Sequence, residues 1–149
     1  THTLTSAADL LDGTIETATK CFQFLSHTIE VGGITTLLYQ FDGTDQVSLR
    51  YNQNGGTDAT AVSTATPVQL WVGYGDRFIV NYYENVTGEE KLGIVFEIDT
   101  SSTGAGTAPA RMESIIKSVQ SAQITRVRVS NSVAGSYDIG SDLSILGTD

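Results

Sequence analysis

Apolar and polar residues alternate in short runs along this chain, and the runs are separated by breaks rich in glycine, asparagine and aspartate. Ala122 to Gly147, AQITRVRVSNSVAGSYDIGSDLSILG, carries the clearest pattern. Ile124, Val127 and Val129 form one β-branched run there, and Ile139, Leu143, Ile145 and Leu146 form the next. Gly135, Gly140 and Gly147 stand where the backbone is expected to bend. The segment therefore predicts a terminal pair of strands joined by a turn.

Upstream, Cys21 to Val31 reads CFQFLSHTIEV, which places Phe22 and Phe24 on one face of a strand and Gln23 on the other, ended by Gly32-Gly33. Before it, Leu4, Leu10 and Ile15 alternate weakly around a turn expected at Asp12-Gly13. Ile34 to Phe41 and Gln46 to Asn52 flank Asp42-Gly43-Thr44-Asp45 and predict a hairpin. Asn54 to Thr66 has little to bury and predicts a surface loop with at most a short edge strand. Val68 to Val72, Phe78 to Tyr83 and Leu92 to Ile98 are rich in β-branched and aromatic residues and predict three further strands. Asp99 to Ala108, DTSSTGAGTA, cannot support a core and is expected to face solvent or drape over a partner. Ala110 to Ala122 fits either period, with Met112, Ile115, Ile116 and Val119 at helical spacing and Ile115 to Val119 also suiting a strand. Breaks about every 8 to 12 residues, with no sustained helical period, point to an all-β sandwich or barrel.

At 149 residues the chain is expected to form one domain, 1–149, with a self-sufficient core. Seventeen acidic residues against eight basic ones give a formal net charge of −9, which argues against a nucleic-acid partner because phosphate binding needs a basic face. A saline habitat and an ordinary anionic surface both account for that acidity. No stretch approaches the roughly 18 to 20 apolar residues that span a bilayer. The start THTLTSAADLL has neither a basic n-region nor an apolar h-region, so a soluble chain without signal peptide or membrane insertion is expected. Cys21 is the one cysteine, excludes an intrachain disulfide, and is expected as a small buried hydrophobe.

The chemistry a catalytic site needs is sparse. His2 and His27 have no partner at metal-ligand spacing, and G-x-S-x-G, H-E-x-x-H and phosphate-loop motifs are absent from the sequence. No catalytic residue, metal ligand or cofactor is assigned, and the chain is expected not to be an enzyme. Asn52-Gln53-Asn54-Gly55-Gly56-Thr57-Asp58 alternates oxygen ligands around glycines, yet it lacks a bidentate Glu and the spacing of a calcium hand, so a plain loop is favoured. Asn85-Val86-Thr87 is a formal glycosylation acceptor that serves equally as a turn. Tyr51, Trp71, Tyr74, Tyr82 and Tyr83 could furnish a sugar-stacking platform, although core positions are commoner for such residues. Adjacent Tyr82 and Tyr83 must point to opposite faces of one strand, which makes the outward one the best interface candidate.

The terminal segment also resembles the C-terminal end of structural proteins of tailed viruses. Its Ile-Thr-x-x-x-Val strand (124–129), its Gly-x-Tyr-x-x-Gly-Ser step (135–141) and its closing Leu-Ser-Ile-Leu-Gly (143–147) carry the likeness. The opening His-Thr-Leu-Thr-Ser and the VSLRYNQN stretch within Gln46 to Asn54 are similar to further parts of that pattern. Leu146 stands where such proteins commonly carry Tyr, and Ala134-Gly135-Ser136 is shorter than many of their turns. The resemblance implies a jelly-roll-like antiparallel β-sandwich on the virion surface, as a capsid decoration, turret or other capsid-associated subunit. It implies a homo-oligomer, trimer before pentamer, in contact with other virion proteins such as the major capsid protein. A tail-fibre head or a receptor-binding module for a host-surface glycan is the alternative that the same fold admits.

Overall fold

The computed structural model describes residues 1–6, 8, 10–15, 19–29, 35–41, 47–63, 68–73, 76–100, 106, 108–131 and 137–148; at 35–41, 63 and 68–73 the backbone alone is considered. In chain order the strands are β1 (His2–Thr3), β2 (Leu10–Thr14), β3 (Cys21–Thr28), β4 (Thr35–Phe41), β5 (Val47–Gln53) and β6 (Ala59–Ser63). They continue with β7 (Val68–Gly73), β8 (Arg77–Glu84), β9 (Lys91–Asp99), β10 (Ala110–Ser118), β11 (Arg126–Asn131) and β12 (Asp142–Thr148). Eight strands form one antiparallel sheet in the order β1-β12-β3-β8-β9-β10-β5-β6, and four form a second in the order β2-β11-β4-β7.

The order is that of a jelly roll with additions. Numbering β2, β3, β4, β5, β6, β7, β8 and β11 as first to eighth, the smaller sheet reads first, eighth, third, sixth. The larger sheet holds the second, seventh, fourth and fifth in that sequence. Successive strands thus cross between layers, save at the β5–β6 hairpin, as two rolled Greek keys require. The β9–β10 hairpin is inserted between the seventh and fourth strands, and β12 with β1 extends the sheet beyond β3. The chain is an all-β, jelly-roll-like antiparallel sandwich.

Several strands lie where the pattern of the sequence puts them. Phe22 and Phe24 on β3 are fully buried, β7, β8 and β9 match the three apolar runs, and β6 is an edge strand inside the polar segment after Asn54. The ambiguous segment resolves as strand: Met112 and Ile116 face inward and Ile115 outward, a period of two rather than 3.6.

Pairing is where the sequence misleads. The last two strands form but do not pair: β11 bonds to β2 and β4, whereas β12 lies between β1 and β3 in the other sheet. Ile139 is in the turn before β12 and 61% exposed, while Ile124 is buried just ahead of β11. Gly140, with φ near +91°, does take a turn conformation, but Gly147 lies inside β12 opposite Phe22. β4 and β5 likewise belong to different sheets, so the expected hairpin does not form; the break at 42–46, Gly32-Gly33, Gly135 and most of 99–108 lie outside the described residues. Asp12-Gly13 is no turn but the middle of β2, paired with Arg128 and Val127. For β11–β12 and β4–β5 a local reading preferred a hairpin where the chain crosses between layers.

The interior is built in rows across the large sheet. One row runs Phe22, Tyr83, Gly93, Ile116, Leu49. The Phe22 and Phe24 rings stack on Tyr83 at centroid separations of 5.4 and 6.0 Å. Gly93 makes room for that stack, since a Cβ there would overlap the Tyr83 ring. From the facing sheet, Leu11, Val127 and Val129 close the core and are fully buried. Towards the other end of the same inner face the side chains turn polar: Arg77, Asn81, Glu97 and Asp99 are all buried, and Arg77 Nη1 lies 3.6 Å from Glu97 Oε1.

The Tyr-Asp-Ile-Gly-Ser part of the step, 137–141, acts as a clasp. Tyr137 is buried and exchanges both backbone hydrogen bonds with Ala8, at 3.0 and 2.8 Å. Leu4 N donates to Ser141 O at 2.9 Å, and Ser141 Oγ accepts from Ile29 N at 2.9 Å. The step thereby ties the start of the chain to the end of β3.

Candidate functional site

The outer face of the large sheet is the region that the packing leaves unexplained. Side chains alternate along β8 and β9, so one set must face the core and the other must face away. On β9 the inward set is Lys91, Gly93, Val95, Glu97 and Asp99, while Leu92, Ile94, Phe96 and Ile98 point outward. On β8 Phe78 and Tyr82 point outward and Arg77, Ile79, Asn81 and Tyr83 inward. Both central strands therefore turn their more uniformly apolar edge to the outside, the reverse of a sheet with one solvated face.

Register joins these residues into one patch. Phe78 stands beside Ile98, Val80 beside Phe96, and Tyr82 beside Ile94, which is itself beside Ile115 of β10. Leu92 and Lys117 are neighbours, and Val62 of β6 continues the patch past Ser48. Exposures run from 36% at Phe96 and Ile98 to 62% at Ile94 and 65% at Val62. A shallow groove of about 600 Å³ crosses the middle of this face, with Tyr82, Leu92, Ile94 and Ile115 in its floor and Arg50, Glu84 and Lys117 at its rim. The rim charges are largely matched: Arg50 lies 3.5 Å from Asp58, Lys117 2.5 Å from Glu90, and Arg111 3.7 Å from Glu113.

Tyr82 and Tyr83 do point to opposite faces, half-exposed and fully buried respectively. Burial pushes the Tyr83 phenol far above its ordinary range. The Tyr82 hydroxyl donates to Cys21 Sγ at 3.1 Å, which raises its pKa above the usual value. Cys21 is thus not the buried hydrophobe expected; it is half-buried on the outer side of β3, because Phe22 and Phe24 take the inward positions.

The other candidates resolve into structure. Tyr83 is enclosed in the core and cannot stack on a sugar, Tyr51 is half-buried, and Trp71 and Tyr74 lie outside the described side chains. In the Asn52 to Asp58 loop, Asn54 takes a left-handed φ of 52°, accepts from Arg111 N through Oδ1 at 2.8 Å, and donates its own N to Arg111 O at 3.0 Å. Its oxygens serve the turn, and no group of three or more His, Cys, Asp and Glu gathers among the described residues. Asn85 is buried at 1% exposure, its Nδ2 donating to Ile124 O at 3.1 Å and its Oδ1 accepting from Ile124 N at 2.7 Å, so the glycosylation acceptor is closed in the folded chain. Lys91, also buried, donates to the carbonyls of Val86 and Glu89 and closes the same turn; burial lowers its pKa.

A polar hollow of about 530 Å³ opens at the seam between β1, β2 and β12. Asp12 is gripped there by Arg126, whose Nε donates to Oδ1 at 2.7 Å, with Arg128 at 3.7 Å. The hydrogen bond from Arg126 holds the Asp12 carboxyl below its ordinary value despite partial burial. His2 Nδ1 lies 3.0 Å from Asp12 N, and His27 is on the outer side of β3 next to Phe78 and Asp142. The sequence had singled out Tyr82 but not the surrounding patch; the signal was present as a second apolar set in LGIVFEI, whose two faces period alone could not rank. Comparison with family models, curated proteins and solved structures finds no match for this chain.

Proposed function

We propose that the chain is a non-enzymatic structural subunit of a virion, a capsid decoration, turret or similar capsid-associated surface protein that works as a homo-oligomer. The observation that carries an assembly role is the continuous apolar outer face of β8, β9 and β10, which exceeds what a solitary soluble domain ordinarily exposes. The virion part of the reading rests on the resemblance of residues 122–147 to tailed-virus structural proteins, and the jelly-roll strand order is compatible with it. Mass spectrometry of virus particles purified from cells that carry the gene tests it. The chain is expected in the particle band at a fixed ratio to the most abundant coat protein. Its absence from particles while it is abundant in the cell lysate overturns the reading.

A further inference from the structure

The geometry points to a second copy of this chain as the occupant of the outer face, docked sheet against sheet about a two-fold axis running along β9. This rests on the assembly role proposed above and names the surface and the symmetry. Three observations lead to it.

The first is area. The eight exposed apolar side chains on this face are 36–65% exposed. At on the order of 200 Å² per large side chain they present about 700–800 Å². That is close to the roughly 800 Å² each partner contributes to a specific interface, and above the about 300–600 Å² of the largest patch on a typical monomer.

The second is extent and charge. The outward row from Leu92 to Ile98 covers about 20 Å, and the strands from β8 to β6 add about 19 Å across at roughly 4.8 Å per step. A small ligand would cover a fraction of this. An anionic membrane is disfavoured by a net charge of −9. The repulsion between two copies is least where their acids are fewest, and the patch itself is apolar.

The third is self-complementarity. Along β9 each outward residue has one neighbour on β8 and one on β10, and a two-fold axis along β9 exchanges them. Tyr82 and Ile115 flank Ile94, so each meets the other across the axis. Phe78 and Arg111 flank Ile98, which brings a guanidinium over a ring, while Val80 and Glu113 flank Phe96, where the carboxylate that meets Val80 keeps its own Arg111 as partner. Glu84, the residue after Tyr83, and Lys117 stand on either side of Leu92, so opposite charges meet twice at the rim. A trimer would have to be built through a different edge of the fold.

Sedimentation velocity of the whole chain tests this. Wild type is expected to sediment as a dimer at micromolar concentration. Ile94→Arg is expected to raise the dimer dissociation constant by about thirtyfold or more, with the circular dichroism spectrum and melting temperature kept. Ile115→Lys on the adjacent strand serves if the first variant does not fold. Glu84→Lys or Lys117→Glu alone is expected to weaken the dimer by about tenfold, and the double exchange to restore it. A monomer at all concentrations up to about 100 µM, an oligomer indifferent to both Ile94→Arg and Ile115→Lys, or a monomer that floats with phosphatidylcholine vesicles overturns the inference. A monomeric chain that is still found in particles refutes this contact and spares the structural role; a dimer absent from particles does the reverse.

Discussion

At the scale of single residues, three positions show how side chains stand in for backbone or make space for one another. Asn85 behaves as an extra strand residue, its amide pairing with both backbone groups of Ile124. Asn85→Ala leaves two buried polar groups without partners and is expected to cost about 2–4 kcal/mol in urea unfolding, with Asn85→Asp intermediate. Gly93→Ala drives a methyl into the Tyr83 ring and is expected to cost about 1–3 kcal/mol, read as a lowered melting temperature. Asp12 provides the pH dependence. Because Arg126 and Arg128 hold its folded pKa below the ordinary 3.8, the ionised carboxylate stabilises the fold at every pH above that value. The contribution fades as pH falls through the folded pKa. Asp12→Asn is therefore expected to lower stability at pH 6 and to flatten its decline between pH 5 and 2, measured by urea titration across that window.

At the scale of elements, strand identity was legible and strand partnership was not. Cys21 to Thr28 and Lys91 to Asp99 announce themselves by alternation, and Gly140 by its need for a turn. β11 pairs with β2 and β4 and not with β12, and its Val127 and Val129 share the core with Leu11, a residue more than a hundred positions away. No local pattern encodes that. The same holds for β4 and β5, where an Asp-Gly break suited a hairpin and the chain instead crosses between layers. Of the candidate surface, Tyr82 could be found because two tyrosines stood side by side; the face around it needed the fold, since Lys91, Glu97 and Asp99 go inward against their own polarity. The inner place of β12 has a testable cost. A chain ended after Ser141 removes a strand from between β1 and β3 and with it buried Leu143, and is expected to lose cooperative thermal unfolding altogether. Leu143→Ala, which keeps the strand, is expected to lose about 2–5 kcal/mol and to stay folded.

At the scale of the whole molecule, the net charge of −9 sets the conditions under which copies meet. Screening shortens the reach of that repulsion from about 30 Å in 10 mM salt to about 8 Å at 0.15 M. Self-association through an apolar face is therefore expected to strengthen as salt rises from 10 to 500 mM, whereas contacts made chiefly through rim charges would weaken over the same range. Light scattering at fixed protein concentration distinguishes the two, and dissociation on adding salt would show that the charged rim rather than the patch holds the copies together.

The inserted β9–β10 hairpin has a wider consequence. A narrower roll, with its seventh strand beside its fourth, would lack most of the greasy outward row, because Leu92, Ile94, Phe96, Ile98 and Ile115 all ride on the insert. The widening of the sheet and its outward apolar row thus come as one cassette, bounded by residues 91 and 118.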